Sequence, residues 1–157
     1  MKKKTGKVNQ IATGFAAVLL GLIVAGTGTK VFANNNSDTY EYFSFSGDNT
    51  VHSDFRRKDD TTSSWCKCFN ASSDESEFYV TVYGTSEHNN TSGSYCGRRA
   101  YVFGKNKEWY MWNTVYETYG DDAYTAAYLA ASPKGFVQDD FECWWSPDNR
   151  SDIYGDE

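Results

Sequence analysis

The chain has 157 residues, 21 acidic against 15 basic, a net charge of −6, and an aromatic content of 17%. That is enough for a single domain with its own core. The acidic balance argues against nucleic acid, anionic lipid or teichoic acid as partners, because like charge repels.

Residues 1–33 have the form of a cleavable export signal. Lys2, Lys3, Lys4 and Lys7 form a basic start, Ile11 to Gly26 is uncharged and largely apolar, and Val31-Phe32-Ala33 places small residues at −3 and −1 of a cleavage point before Asn34. An uncleaved anchor is the alternative, since the uncharged run from Val8 to Thr29 could just span a bilayer at about 20 residues. Cleavage removes five lysines and no acid, so fifteen basic residues fall to ten against twenty-one acidic ones, a net charge near −11. The expected product is secreted and extracellular. It comprises a short polar lead-in (34–38), a β-domain (39–150) and a C-terminal tail (151–157).

In chain order, Tyr40 to Phe45 alternates and reads as a strand, and Gly47-Asp48-Asn49 as a turn. Val51 to Lys58 reads as a second strand. Trp65-Cys66-Lys67-Cys68-Phe69 is a third, and Phe78 to Tyr83, β-branched and aromatic, is the clearest. Arg98 to Phe103 and Trp109 to Trp112 follow, joined by a turn at Lys105-Asn106-Lys107. Ala123 to Ala131 is ambiguous. Its alanines favour helix, its tyrosines and threonine fit a strand, and strand is preferred. Phe141 to Trp145 is the last strand, stopped by Ser146-Pro147-Asp148. Short strands with polar turns predict an all-β fold: one antiparallel β-sandwich of jelly-roll or immunoglobulin size, after an N-terminal signal helix.

The cysteines are expected to staple this sandwich. Cys66 and Cys68 project from one face of a strand, so their sulfurs point in parallel and do not bond to each other. Two pairings remain: Cys66–Cys96 with Cys68–Cys143, or Cys66–Cys143 with Cys68–Cys96. Each bond would contribute roughly 3–5 kcal/mol in the chain-entropy description. A metal site built on the Cys-x-Cys pair and free or intermolecular thiols are the rival readings, and the oxidising exterior favours disulfides over both.

Several short motifs resemble a family of small secreted Gram-positive proteins of unknown function. They are Phe55-Arg56, Trp65-Cys66-Lys67-Cys68-Phe69, Asn113-Thr114-Val115-Tyr116, Tyr128-Leu129-Ala130 and the closing Trp145-Ser146-Pro147-Asp148. The resemblance implies an exported β-protein of the kind found beside bacteriocin and transporter systems, and no catalytic residue.

Chemistry-bearing constellations are sparse. His52 and His88 lie in polar surroundings, and no Gly-x-Ser-x-Gly or His-Glu-x-x-His occurs. Glu108, Glu117 and Glu142 could in principle supply a glycosidase pair, the least unfavourable enzyme reading, but a non-enzyme is expected. No cofactor is expected. Calcium is the sole candidate, with Asp121 and Asp122 as its ligands, and no Asp-x-Asp-x-Asp-Gly spacing supports it.

The abundant feature is aromatic. Trp109, Tyr110 and Trp112, and likewise Trp144 and Trp145, include neighbours that must face opposite sides of a strand, so each set should expose one ring. Exposed rings stack on sugars or anchor protein partners. The expected function is therefore non-catalytic binding of a cell-surface glycan or protein. The alternative is a bacteriocin-like competition effector acting on another cell's envelope.

Overall fold

The computed structural model describes residues 37–87, 93–135 and 138–149. The expected signal (1–33), most of the lead-in, the tail and His88 lie outside these. Among the described residues no helix is long and apolar enough to cross a membrane.

The chain folds into two antiparallel sheets. The first is made of β1 (Thr39–Ser44), β10 (Asp140–Ser146), β4 (Ser64–Ala71) and β8 (Glu108–Met111), in that order. The second runs β2 (Val51–His52), β9 (Ala126–Pro133), β5 (Phe78–Thr85), β6 (Ser94–Tyr95). In it, β3 (Arg56–Arg57) also pairs with β9, and β7 (Tyr101–Phe103) also pairs with β5. The stretch Val51 to Lys58 is thus two short bridges around a break rather than one strand. The Ser53 hydroxyl fills that break by accepting the Leu129 N–H at 2.9 Å.

Ala126–Pro133 is a strand. Its alanines are there because the strand is covered on both sides: Ala127, Leu129 and Ala131 face the core, while Tyr128 and Ala130 are buried on the other side. The helix falls instead at α1 (Val115–Tyr119), five residues ended by Gly120 at φ +70°. Propensity summed over so short a segment was no guide. Val115 is fully buried and packs against the α-carbon of Gly84, where a Cβ would lie 2.9 Å from both Val115 methyls.

Alternation puts Phe43, Phe45, Phe78, Val80, Val82, Phe103, Met111, Leu129, Phe141 and Trp145 into one core between the sheets. Phe78 is its hub, with ring centroids at 4.2 Å from Phe141, 5.6 Å from Phe103, and 5.8 Å from both Phe43 and Phe45. The register of β4 on β10 shifts between Glu142 and Cys143. The shift is a β-bulge, and it leaves Phe69 and Asn70 both outside the core.

The two-disulfide staple is absent: all four thiols are free and buried. The reason lies in where the strands bring them. Cys143 stands opposite Cys68 and contacts both Cys68 and Cys66, so three thiols compete at one place. Cys96 is lodged against Thr118, Gly84 and Thr114. Hydrogen bonding to Cys143, together with burial, pushes the Cys68 thiol far above the ordinary range. That favours the protonated thiol over the thiolate.

Two predictions follow from the packing. Phe78→Ala removes the hub ring and should cost about 3–5 kcal/mol, read as a lower denaturant midpoint at unchanged slope. Glu77 accepts hydrogen bonds from Lys107 (2.5 Å) and Lys134 (2.6 Å), which lower its carboxyl to about 2 from 4.5. Its contribution is present above pH 4.5 and disappears as pH falls through about 2. The melting-temperature gap between wild type and Glu77→Gln should therefore close on acidification across that window.

Candidate functional site: an aromatic face on the outer side of the first sheet

Side chains of β1 alternate between core and solvent: Glu41 and Phe43 point in, Tyr40 and Tyr42 point out. On β10 the same parity sends Cys143 and Trp145 in and Trp144 out. Register places Tyr40 beside Trp144, and Trp144 beside Lys67. Alternation on β4 brings Phe69 out on the side of Trp65 and Lys67, at the same spot. Three rings therefore meet on one outer face: Tyr40–Trp144 at 5.7 Å, Phe69–Trp144 at 5.9 Å and nearly parallel (25°), and Tyr40–Phe69 at 6.2 Å. Tyr42 extends the face at 54% exposure; Tyr40 and Trp144 are 45% and 40% exposed.

Polar groups border the rings. The Tyr40 hydroxyl donates to Glu142 Oε2 at 3.0 Å, and Asn70 Nδ2 donates to Glu142 Oε1 at 2.8 Å. Partial desolvation and the Glu142 carboxylate hold the Tyr40 phenol above its usual value, so it keeps its proton and remains a donor. Further along the face, Trp65 Nε1 donates to Glu108 Oε1 at 2.6 Å, and Lys67 pairs with Glu108 at 3.1 Å.

The five expected binding aromatics divide sharply. Trp144 belongs to this face. Trp145 is fully buried, its Nε1 donating to Glu41 at 3.0 Å. Trp109 turns inward, packs on the core and donates to the Val102 carbonyl at 2.9 Å. Tyr110 points outward and is half-buried opposite Trp65. Trp112 is half-buried, and its backbone N–H donates to the Tyr101 hydroxyl at 3.0 Å. Tyr40 and Phe69 were not singled out from sequence. The alternation Tyr40-Glu41-Tyr42-Phe43 carried the signal for Tyr40, and the alternation Trp65-Cys66-Lys67-Cys68-Phe69, which puts Phe69 on the face of Trp65 and Lys67, carried it for Phe69.

The three candidate carboxylates sit on three different elements, β8, α1 and β10. Glu117 is exposed on α1, Glu142 is held by Tyr40 and Asn70, and the Trp65 indole and Lys67 hold Glu108 below the usual carboxylate range. That is the opposite of what a general acid requires. Asp121 is paired with Arg57 at 3.3 Å, and Asp122 accepts the Tyr124 N–H at 2.8 Å. Among the described residues no three His, Cys, Asp or Glu side chains converge to hold a metal ion.

A second constellation lies at one end of the sheets and centres on two buried charges. Lys58, 1% exposed, follows β3; Asp148, 0% exposed, follows β10. Lys58 Nζ is 2.5 Å from Asp148 Oδ1, 2.5 Å from the Thr62 carbonyl and 3.5 Å from Asp60 Oδ1. Asp148 Oδ2 accepts the Asp59 N–H at 3.1 Å. Beside this pair, Arg56 lies over the Trp145 ring (5.6 Å) and donates to the Trp145 carbonyl at 3.1 Å. Ser64 Oγ donates to the Pro147 carbonyl at 2.8 Å and accepts Asn113 Nδ2 at 3.1 Å. Three of the short motifs noted in the sequence, through Arg56, Asn113 and the Trp145–Asp148 run, thus contribute to one polar network.

These features define a small, two-sheet, all-β domain with an aromatic outer face and a buried polar clasp. The chain belongs to the family described as protein of unknown function (DUF2712), which matches residues 29–149. No curated protein and no solved structure matches it.

Replacing the two neighbouring tryptophans should separate surface from core. Trp144→Ala should change stability by about 1 kcal/mol or less, the worth of its ring pairs. Trp145→Ala should cost about 3–5 kcal/mol. Chemical denaturation of both variants measures the contrast.

Proposed function

We propose that the protein is an exported, non-catalytic binding domain whose Tyr40–Phe69–Trp144 face stacks against the sugar rings of a neutral cell-surface glycan. The observation that carries this reading is the cluster itself. Two large rings, Tyr40 and Trp144, stay at least 40% exposed where burial would be worth about 1.5–3 kcal/mol apiece. Glu142 and Asn70 stand beside them as hydrogen-bonding groups. Apolar ring faces with a few fixed polar atoms suit a hydroxylated ligand with apolar C–H faces. The acidic surface is compatible with an uncharged polymer and opposes anionic ones. Export rests on the basic and apolar character of residues 1–33.

Export also bears on the thiols. Cys68 directs its N–H to the Lys107 carbonyl (2.9 Å) and its carbonyl to the Asn106 N–H (2.8 Å), both away from β10. Toward Cys143 it therefore occupies a non-hydrogen-bonded position, where facing Cα atoms lie about 4.5 Å apart, inside the range a disulfide spans. In an oxidising compartment we read Cys68–Cys143 as the pair that closes. Within a two-sheet sandwich of immunoglobulin or jelly-roll size, that bond joins adjacent strands of one sheet.

Retention of the residue 34–157 protein on insoluble neutral polysaccharides and purified cell walls tests the glycan reading. Wild type and a Tyr95→Ala control on the other sheet should be retained. Trp144→Ala and Tyr40→Ala should lose retention by about tenfold or more, the cost of removing a central aromatic anchor. Equal retention of all four proteins, or no retention of wild type on any matrix, would overturn the assignment.

A further inference from the structure

We propose that Lys58 and Asp148 become joined by an intramolecular isopeptide bond, formed by the protein on itself with Asp60 as proton carrier. The inference rests on the placement of four groups, two of them buried charges. The nucleophile and the electrophile are both almost wholly buried and stand 2.5 Å apart, Nζ to Oδ1. Lys58 Nζ has three oxygen neighbours: Asp148, the Thr62 carbonyl and Asp60 Oδ1. Once a proton has moved from Nζ to Asp148 Oδ1, the two remaining N–H groups point at Thr62 and Asp60, and the lone pair points at the Asp148 carboxyl. Burial pushes the Asp148 carboxyl upward, in the direction that favours this neutral pair. Asp60 is itself anchored by the Thr62 N–H at 2.8 Å and the Thr62 hydroxyl at 2.5 Å, which fixes its second role.

The step is an acyl condensation and balances without a co-reactant. Lys58 Nζ attacks Asp148 Cγ and the N–C bond forms. The negative charge that develops on Oδ2 meets the Asp59 backbone N–H, 3.1 Å away, in the manner of an oxyanion donor. Asp60 takes the second proton from nitrogen and delivers it to the hydroxyl on Oδ1. The C–O bond breaks and one water leaves. Nothing is oxidised or reduced. Holding amine and acid in contact removes the entropic part of the barrier, and the burial of Lys58 and Asp148 opposes the reverse hydrolysis. The product would tie the segment after β3, which belongs to the second sheet, to the segment after β10, which belongs to the first.

A buried ion pair makes the same contacts without reacting, and mass decides between the two. The folded full chain, reduced at its thiols and counted from its observed N-terminus, should weigh one water less than its sequence. Trypsin should then fail at Lys58 and release residues 58–67 joined to residues 135–150 as one branched peptide. Asp60→Asn should accumulate the cross-link at least tenfold more slowly. The full linear mass with normal cleavage at Lys58 would overturn the proposal, as would a one-water loss located anywhere else in the map. An Asp60→Asn protein that cross-links at the wild-type rate would overturn the role given to Asp60. Because the decisive reading is on wild type, it does not depend on any variant folding.

Discussion

The contact on which the architecture turns is that between a buried lysine and a buried aspartate at the end of the sheets. An isolated charge in an apolar interior is prohibitively costly, so each of these groups demands the other and a full set of hydrogen bonds. That demand fixes two segments in space. Lys58 follows a two-residue strand that has little pairing of its own, and Asp148 follows the strand at the middle of the first sheet. Arg56, stacked on Trp145 and bonded to its carbonyl, repeats the connection one step away. Ser64, Asn113 and Pro147 extend it to β4 and to the segment leading into α1. Arg56, Asn113 and the Trp145–Asp148 run, from three of the short motifs, therefore meet in a structural clasp.

Strand parity then decides what the surface offers. Cys66, Cys68 and Cys143 occupy the inward positions of two adjacent strands, which commits Trp65, Lys67 and Trp144 to the outside. On β1 the inward positions go to Glu41 and Phe43, and the tyrosines on either side must face solvent. Glu41 is an unusual inward residue. Burial pushes its carboxyl upward, and it is tolerated because the Trp145 indole and the Asp54 N–H both donate to it. The aromatic face is thus the outer side of the same alternation that builds the core. The bulge after Phe69 adds Asn70 to that outer side, within reach of Glu142.

Much of this was legible in the residues. The strands at Tyr40–Phe45, Trp65–Phe69, Phe78–Tyr83 and Phe141–Trp145 follow from alternation and β-branched or aromatic content. So does the rule that Trp144 and Trp145 face opposite ways, although parity alone could not say which one faces out. Burial of Cys143 and Phe141 from the opposing sheet settles that. The thiols are the clearest divergence. Parity excludes a Cys66–Cys68 bond, but three cysteines arrive at one point of the core and Cys96 at another, an outcome of strand order rather than of spacing. The break in Val51–Lys58 and the five-residue helix escaped local reading because both are held by distant partners, Leu129 in one case and Gly84 in the other.

The sequence by itself determined the acidic charge, the export-like start, the all-β class and the alternation that divides each strand into an inward and an outward side. These depend on composition and on a period of two, both properties of neighbouring residues. Tertiary structure alone decided which side became core, which rings came together on the surface, and that Lys58 would meet Asp148 across 90 residues. Strand order, register and a one-residue bulge set those distances, and each arises from long-range pairing that no window of sequence contains.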